Sequence, residues 1–525
     1  MTATVLAFLA PLGIAMVLWG GMPERKARSA AARLLAALAL TALGFWASGF
    51  ALQYGGIGCL HDLPGLEAVQ REFPLWNLGP SWGLAGTEGW LLNVPASSLE
   101  GVLGLFLAQL PWLTVLTVAA GLGLIGRERG AGSWLIVLLL AAVVGPLAAG
   151  WAWAGGPSAA DQFLCARPEN QAAFDVNFGG WLGNLGVTAR WGHGFVDYAG
   201  SGTLFLLAGA VGLAGALILG PRRPPDDPAQ PVEMPPVHLP LIAVAGLVLW
   251  FLGWLSLPLE HPLYTGLSWP VIALNGLLAL GAGTLAAQLY SGFTAGRADV
   301  LMAVRGGAAG LVAISAAAPF VAPWGAFVIG LLAGAVVPVL HYIIEHVWRR
   351  EDLTASISVF LAAGLWGLIA LGLLANGQHG VGWNALGREE FLGTPPQGVS
   401  GLIVAPGLVS DTRQIIAQLV GAATIFLAGF VPAALVFLCM RLPGWLADAR
   451  RRQLAALAAA KAAAAEAAAA PEGLDALLAG IEPHEEAPAE AEATQVPAVE
   501  AAAPEHAKTE PQPEPGPPVA EQPEP

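Results

Sequence analysis

The residues best suited to chemistry lie in a segment of the chain that occurs twice. The stretches Asp197–Leu213 and Asp352–Leu368 are identical at eight of seventeen positions, with an offset of 155 residues. Each copy starts with a carboxylate one turn before an apolar helix and carries a phenylalanine, Phe205 or Phe360, eight residues later. Such a carboxylate caps the unpaired N–H groups of its helix, and a cation site is the alternative role for Asp197. Phenylalanine has no donor, acceptor or titratable nitrogen, so we expect the two rings to meet only by packing, edge to face.

Few other residues offer chemistry. Trp153 can hold a cation against its indole face or anchor its helix at a membrane interface. Arg305 lies within an apolar segment, where it pairs with Glu345 or extends its charge to the membrane surface. Asn275 is expected to hydrogen-bond a neighbouring helix. The sequence contains no CxxC or His/Cys cluster, no acid–base pair and no activated nucleophile, so we predict no metal, no cofactor and no enzymatic activity.

These groups are carried by a strongly apolar chain. Of its residues 56% are hydrophobic and 11% are charged, and the mean hydropathy of +0.63 is outside the range of soluble proteins. A helix needs about 20 apolar residues to cross the hydrocarbon core of a bilayer. Eleven segments satisfy this requirement: 2–22, 30–54, 99–125, 131–153, 198–220, 238–258, 267–292, 300–320, 323–347, 354–376 and 412–440. Because unpaired backbone groups are costly in lipid and the runs do not alternate, we predict an all-α integral membrane protein with 11 transmembrane helices.

The basic residues predict how this protein is oriented in the membrane. Arg25, Lys26 and Arg28 follow the first apolar segment, whereas a secretory signal peptide carries its charge before that segment. Basic residues between the later segments fall on the same side when the eleven spans are traced in turn. The positive-inside rule therefore predicts a multi-pass plasma-membrane protein with its N-terminus outside and its C-terminus in the cytoplasm.

Composition divides the chain into three parts. We predict a transmembrane domain at 1–446, an Ala-rich cytoplasmic helix at 447–470 and a disordered acidic tail rich in Pro and Glu at 471–525. The net charge is −14, and the tail supplies −12 of it. The tail suits a cytoplasmic protein partner, and the lack of a basic stripe argues against nucleic acid. Cys59 and Cys165 fall in loops expected outside, where they form either a disulfide or two free thiols.

Glycine patterns favour helix packing over ligand binding. Gly121–Gly126 satisfies GxGxxG, the dinucleotide fingerprint, but it lies inside an apolar span with no strand before it. Gly306–Gly310 and Gly330–Gly334 have GxxxG spacing, which lets helices approach closely in lipid. The repeat itself indicates two halves of a membrane domain that pack face to face around a shared pathway.

Several segments, taken in order, resemble the ammonium transporter/Rhesus family. They are PLGIAMVLWGG at 11–21, AWAGG at 152–156, VDYAGSGTLFLLAGAVGLAGALILGPRR at 196–223, GGAAGLVAISAAAPFVAPWGAFVIGLLAG at 306–334 and REDLTASISVFLAAGLWGLIALG at 350–372. The resemblance covers about residues 5–445. It implies a 5+5 inverted repeat plus a final helix, a homotrimer in membrane lipid, and passage of ammonium or ammonia through a pore in each subunit.

The chain departs from this family at the positions that would line the pore. Phe205 and Phe360 occupy the places of two pore histidines, Leu257 that of an outer-gate phenylalanine, and His261 lies near a lost outer serine. Trp153 matches an indole that faces the cation. The two phenylalanines either plug the pore or leave a dry conduit for a neutral solute. The predicted pore-lining set is therefore Trp153, Asp197, Phe205, Leu257, His261 and Phe360.

Three functions are consistent with these residues. The first is a divergent ammonium-transporter-like channel for ammonia or a similar small solute. The second is a non-conducting membrane scaffold that recruits partners through its tail. The third is a sensor that binds a ligand on the outer side and signals through the tail.

Overall fold

The computed structural model describes residues 2–22, 24–59, 65–74, 83–125, 127, 131–153, 180–219, 238–256, 259 and 267–469. These residues are mostly helical. The α-helices are α1 (Thr2–Ala7), α2 (Leu9–Gly20), α3 (Glu24–Gly44), α4 (Phe50–Tyr54), α5 (Ala96–Gly123), α6 (Ala131–Leu139), α7 (Gly145–Trp153), α8 (Leu185–Thr188), α9 (Leu207–Ile218), α10 (His238–Ser256), α11 (Trp269–Ala295), α12 (Val300–Ile314), α13 (Pro323–Tyr342), α14 (Ala362–Leu374) and α15 (Arg413–Ala469). Wider helical turns are π1 (Phe45–Gly49), π2 (Leu140–Val144), π3 (Ser201–Leu206), π4 (Ile343–Val347) and π5 (Ser356–Leu361).

Helices of membrane-spanning length match the segments predicted from hydropathy. Within the described residues, ten are long and apolar enough to cross a bilayer, and α12 is a shorter apolar helix of 15 residues. Each of these helices overlaps one of the eleven predicted segments, although α15 (Arg413–Ala469) continues well beyond the predicted end at 440. In the described parts of the connecting loops, three short 3₁₀ turns lie at Ile57–Cys59, Trp90–Leu92 and Trp383–Ala385.

A small β-hairpin is present in the loop before α5. Strand β1 (Glu72–Pro74) pairs antiparallel with β2 (Gly83–Gly86), and Phe73 is opposite Ala85. These strands lie outside the apolar runs, so they leave the helical character of the spans unchanged. They show instead that part of this long loop has a regular fold.

The two GxxxG patterns pack against one helix. A Cβ on Gly306, Gly310, Gly330 or Gly334, the four glycines of these patterns, would lie 2.1–2.4 Å from the carbonyl oxygen of Ala279 or Gly283 on α11. Only glycine permits so short a distance between backbones, so the prediction of close packing is confirmed. On the same helix, Asn275 Nδ2 donates to the backbone carbonyls of Ala318 and Val321, which lie between α12 and α13. A hydrogen bond to a neighbour is what the sequence predicted for this residue.

Loops meet at both ends of the helices, and the two ends differ in chemistry. At one end Lys26 Nζ lies 2.8 Å from Glu351 Oε1, and Arg127 donates to the backbone carbonyl of Glu351. At the other end Asn384 Nδ2 donates to the backbone carbonyl of His193 at 2.7 Å. The first of these contacts is therefore made by charged side chains, and the second by a side-chain amide and a backbone carbonyl.

The chain divides into two compact units. The first, Met1–Ala449, contains the hydrophobic core. The second unit is Arg450–Pro525. Its described part, 450–469, is helical, and residues 450–466 are exposed. The predicted acidic tail, 471–525, lies outside the described residues.

Candidate functional site

Each copy of the repeat begins with the same carboxylate cap. Asp197 Oδ2 accepts hydrogen bonds at 2.8 Å from both the backbone N–H and the hydroxyl of Thr203 in π3. Asp352 Oδ2 accepts from the backbone N–H and the hydroxyl of Ser358 in π5, at 2.9 and 2.8 Å. Thr203 and Ser358 correspond in the repeat, and both carboxylates are buried. The capping role predicted for the two aspartates is confirmed.

The residue before each π-helical turn has a left-handed backbone. Gly200 has φ 87° and ψ 31°, and Ala355 at the equivalent position has φ 51° and ψ 27°. Glycine adopts this conformation freely, whereas for an alanine it costs about 1–2 kcal/mol. Both turns thus need the same unusual conformation, although only the first copy has the residue best suited to it.

Glycines bring the two copies into direct and reciprocal contact. A Cβ on Gly209 would lie 2.3 Å from the backbone nitrogen of Leu361 in the second copy. A Cβ on Gly364 would lie 2.9 Å from the backbone nitrogen of Leu206 in the first copy. The two contacts are equivalent, because Gly364 is the repeat counterpart of Gly209 and Leu361 is that of Leu206, each at an offset of 155 residues. Such an exchange is what a twofold relation between the copies produces.

The two phenylalanines of the repeat meet in the core. The ring centroids of Phe205 and Phe360 are 5.9 Å apart with an interplanar angle of 24°, and the side chains are 0% and 1% exposed. The expected approach is confirmed, but the expected edge-to-face geometry is wrong, because the rings stack. A third ring packs against the pair: Trp250 of α10 meets Phe360 edge-on at 6.2 Å and 67°.

Trp250 completes an aromatic centre, defined here as Phe205, Phe360 and Trp250. Its ring lies 5.6 Å from Phe205 with an interplanar angle of 47°. Trp250 is 0% exposed, and its Nε1 has no hydrogen-bond partner within the described part of the chain. Trp250 is not among the pore-lining residues predicted from the sequence. Its one signal is an aromatic donor placed well inside an apolar segment instead of at its end.

Trp153 lies next to the cap of the first copy. Its Nε1 donates to the backbone carbonyl of Asp197 at 2.5 Å, and its ring meets Trp112 edge-on at 5.0 Å and 71°. The side chain is 7% exposed. An interfacial anchor directs its N–H to water or head groups, so this buried hydrogen bond favours a role inside the protein.

Two members of the predicted pore-lining set, Leu257 and His261, lie outside the described residues. Cys165 of the predicted cysteine pair also lies outside them. The candidate site therefore consists of Trp153, Asp197, Phe205 and Phe360 of that set, together with Trp250 and one charged group.

That charged group is Arg305 on α12. Its Nη1 lies 3.0 Å from His341 Nε2, and its Nη2 donates to the backbone carbonyl of Leu353 at 3.0 Å. His341 Nε2 is in turn 3.4 Å from Glu345 Oε1. His341, one helical turn from Glu345, therefore lies between the two side chains, and an Nε2 that accepts from Arg305 cannot also donate to Glu345. Since a guanidinium only donates, Nε2 must accept, and the imidazole is neutral with its proton on Nδ1.

A pocket connects this charged group with the aromatic centre. Its volume is about 10 Å³, and its walls come from α2, α10, α12 and the start of the second copy of the repeat. Arg305, Leu353, Trp250 and Phe360 line it, but Phe205 does not. The two faces of the phenylalanine pair therefore have different surroundings.

The opposite end of the molecule contains a buried imidazole. His193 is 0% exposed and stacks on Phe391 at 4.5 Å and 28°. Burial lowers the pKa of His193 to about 3, although a nearby backbone group of Gln397 acts against this shift. The ring is therefore neutral near pH 7. It joins the loop before π3 to the loop before α15.

Comparison with known proteins agrees with this architecture. The model of the Ammonium Transporter Family matches residues 1–447. The ammonium transporter Amt2 of Archaeoglobus fulgidus is 31% identical over 309 residues, which make up 58% of this chain and 60% of that protein. The chain thus spans about three fifths of the length of this relative.

Solved structures show the same fold. One described as a sensor Amt protein superposes with a TM-score of 0.62 at 20% identity, over 84% of this chain and 91% of that chain. Mep2 of Saccharomyces cerevisiae superposes with a TM-score of 0.60 at 21% identity, over 84% of this chain and 86% of that chain. The predicted all-α fold of an ammonium-transporter-like membrane protein is confirmed.

Proposed function

We propose that this chain, which belongs to the ammonium transporter family, is a membrane channel for neutral ammonia that is closed to the ammonium ion. The observation that carries the proposal is the stacked pair of Phe205 and Phe360, 5.9 Å apart and almost without exposed surface. By resemblance to the family these positions correspond to two pore histidines. The pair therefore stands where relatives keep groups that bind and transfer protons.

The aromatic centre would oppose entry of the ammonium ion more strongly than entry of neutral ammonia. Moving a hydrated cation into apolar surroundings costs many kcal/mol unless new partners replace its water. Phe205 and Phe360 supply no hydrogen-bond acceptor, and each turns one face toward the other ring instead of toward a cation. Neutral ammonia has a far smaller desolvation cost, and its passage would require the two stacked rings to move apart.

We propose that the solute reaches the aromatic centre from the side opposite the pocket. The residues that it would pass there are Trp153, Asp197, Leu257 and His261. Support comes from the first two residues, which lie next to each other at the start of the first copy. Asp197 Oδ1 is buried and has no hydrogen-bond partner within the described residues. A free carboxylate oxygen beside an indole suits a weakly held cation before it loses its proton.

A second candidate function is a non-conducting scaffold or sensor. The same packing favours it, because the three rings of the aromatic centre are buried against one another. The long acidic segment 471–525, with a net charge of −12, would then provide the contact with a cytoplasmic partner. Deletion of the chain after Arg452 would abolish co-purification of such a partner and leave the membrane unit assembled.

Orientation and assembly complete the proposal. We place the N-terminus outside and the C-terminus in the cytoplasm of a plasma membrane, because Lys26, Arg127 and Arg305 gather at one end. Protease accessibility of the tail in sealed vesicles tests this orientation. A homotrimer rests on resemblance to the family alone, and native mass spectrometry in detergent tests it.

Flux measurements in proteoliposomes test the channel proposal. We expect the protein to raise ammonia permeability, followed by an internal pH dye, above that of protein-free liposomes. We expect no uptake of labelled methylammonium driven by membrane potential. The double variant Phe205→His plus Phe360→His should gain such uptake, because two imidazoles restore proton-transferring groups at the centre.

The matched control is Phe426→His plus Phe430→His, which alters another stacked pair, 5.4 Å apart on α15. It should leave both fluxes at the level of the unmodified protein. Ammonia permeability equal to that of protein-free liposomes would overturn the channel proposal and support the scaffold or sensor. Potential-driven uptake by the unmodified protein would show that the aromatic centre does not exclude the cation.

A further inference from the structure

We infer that Gln414 and Gln418 of α15 are positioning residues for the approach to the aromatic centre, because they hold the backbone just before Asp197. The inference rests on the proposed function, in which Trp153 and Asp197 form part of that approach. The two glutamines are four residues apart, so they face the same side of α15. Both side chains are 0% exposed. Neither belongs to the pore-lining set predicted from the sequence.

Each glutamine bonds to the backbone of another segment as a neighbouring strand would. Gln414 Oε1 accepts from the backbone N–H of His193, and its Nε2 donates to the carbonyl of Gly194, both at 2.8 Å. Gln418 Oε1 accepts from the backbone N–H of Val196 at 2.8 Å, and its Nε2 donates to the carbonyl of the same residue at 2.7 Å. Since a side-chain amide has the same donor and acceptor as a peptide group, these bonds give the segment the partners that secondary structure would supply.

The contact between α15 and the first copy of the repeat continues beyond the two amides. A Cβ on Gly421 would lie 2.0 Å from the ring of Phe195, and one on Gly429 would lie 2.8 Å from a backbone carbonyl oxygen at the start of α9. At the end of α9, Arg441 donates to the backbone carbonyl of Ile218. The two amides are therefore part of a helix that packs along the first copy from its start to its end.

Val196 connects this packing with the approach. Gln418 bonds to both its N–H and its carbonyl, and the next residue in the chain is Asp197. The carbonyl of Asp197 accepts from Trp153, and its Oδ2 accepts from the backbone N–H of Thr203. A displacement of Val196 would therefore move the partner of the indole and the capping carboxylate together.

The second copy provides an internal comparison, because its equivalent carbonyl has a different partner. Glu351 corresponds to Val196 at the offset of 155 residues, and its carbonyl accepts from Arg127 instead of from an amide. Its side chain pairs with Lys26. Loss of the amides on α15 should therefore disturb the first copy and spare the second. Glutamines that only stabilised the fold would, when lost, loosen both copies alike.

Hydrogen exchange of the whole protein in detergent, measured by mass spectrometry, tests the inference without any solute flux. Gln418→Met keeps the length of the side chain and removes both of its hydrogen-bonding groups. The backbone N–H of Thr203 bonds to Asp197 and not to Gln418, so it reports on the position of the cap. We expect this N–H to exchange faster by roughly tenfold or more, and that of Ser358, its equivalent in the second copy, to stay within about twofold.

Two further variants separate position from stability. Gln414→Met removes bonds that lie further from Asp197, so it should speed the exchange of Thr203 less, and it tests the inference even if Gln418→Met fails to fold. Thr424→Val is the matched control on α15, because Thr424 Oγ1 donates within its own helix; it should match the unmodified protein. The inference is overturned if Thr203 and its equivalent accelerate equally, if neither glutamine variant speeds Thr203, or if Thr424→Val does so equally.

A flux measurement then connects position with conduction. In Gln414→Met we expect the ammonium concentration for half-maximal ammonia flux to rise severalfold, while the maximal flux stays almost unchanged because the aromatic centre is unaltered. A change confined to the maximal flux, or no change at all, would overturn the positioning role. Absence of flux in the unmodified protein would instead contradict the proposed function, and the exchange results would still show whether α15 holds Asp197 in place.

Discussion

The two copies of the repeat share a framework and differ in what surrounds it. In both, a carboxylate caps a π-helical turn, a left-handed residue precedes the turn, and a glycine contacts the opposite copy. The first copy starts beside the indole of Trp153, which donates to Asp197. The second starts beside Leu353, whose carbonyl accepts from Arg305. The repeated residues therefore form the same turns and contacts in both copies. Trp153 and Arg305, which lie outside the repeat, make the surroundings of the two copies different.

The serines that begin the two π-helical turns show the same division. Ser201 Oγ donates to the carbonyl of Val312 and accepts from the backbone N–H of Ala316, both at 2.7 Å. Ser356 Oγ instead lies 3.4 Å from Asp352 Oδ1. The identical residue thus joins the first copy to the end of α12 but stays within its own turn in the second. The two serines therefore occupy equivalent positions in the repeat but have different hydrogen-bond partners.

The largest effects should come from the glycines at the contact between the copies. Gly209→Ala and Gly364→Ala each push a methyl group into backbone atoms of the other copy, 2.3 and 2.6 Å away. We expect each to lower the free energy of unfolding by about 3 kcal/mol, as severe overpacking does, and thermal unfolding in detergent measures this. Gly281→Ala is the control, since a Cβ there meets nothing within 4 Å. A result in which one of the pair is as harmless as the control would break the twofold comparison.

Removing the caps should have the next largest effect. Asp197→Ala and Asp352→Ala leave buried N–H and hydroxyl donors without partners, so we expect each to cost about 2 kcal/mol of stability. Asp299→Ala removes the cap of α12, where Asp299 Oδ1 accepts at 2.8 Å in an exposed setting. That control should cost about 1 kcal/mol. Equal losses in all three variants would mean that burial of the two repeat caps adds nothing.

A pH titration tests the buried imidazole of His193, which lies at the end of the molecule opposite Arg305. Burial lowers the pKa of His193 to about 3 from an ordinary value of 6.5. The unfolded chain therefore binds a proton that the folded chain rejects, and stability falls as pH decreases from 6.5 toward 3. The slope due to this residue approaches ~1.4 kcal/mol per pH unit.

Thermal unfolding between pH 7 and 5 measures this slope. In His193→Phe, which keeps an aromatic ring against Phe391, the dependence on pH should be shallower than in the unmodified protein. Identical slopes would show that His193 does not reject the proton in the folded state.

The smallest effect concerns the left-handed residue before each π-helical turn, which is Gly200 in the first copy and Ala355 in the second. Ala355→Gly relieves a left-handed alanine but adds freedom to the unfolded chain, so we expect a gain of about 0.5 kcal/mol. The reverse change, Gly200→Ala, should destabilise, because its Cβ would also lie 2.4 Å from the Leu204 side chain. The shift in unfolding temperature of the two variants, measured side by side, should have opposite signs. A loss of stability in Ala355→Gly would contradict this account of strain.

Much of the fold and part of the site could be predicted from the chain alone. Hydropathy placed the spans, because crossing lipid requires about 20 consecutive apolar residues. The repeated Asp197 and Asp352 indicated caps, and the GxxxG spacings indicated close packing, because these signals depend on residues near one another in sequence. The meeting of Phe205 and Phe360 followed from the symmetry of the repeat.

Tertiary structure alone decided the remaining features. Trp250 comes from a helix outside both copies, and it meets Phe360 edge-on beside the stacked phenylalanine pair. His341 stands between Arg305 and Glu345 because α12 and α13 lie side by side. The pocket likewise needs four separate segments of the chain. Local pattern determines which residues form helices, but which side chains share a cavity depends on how those helices pack.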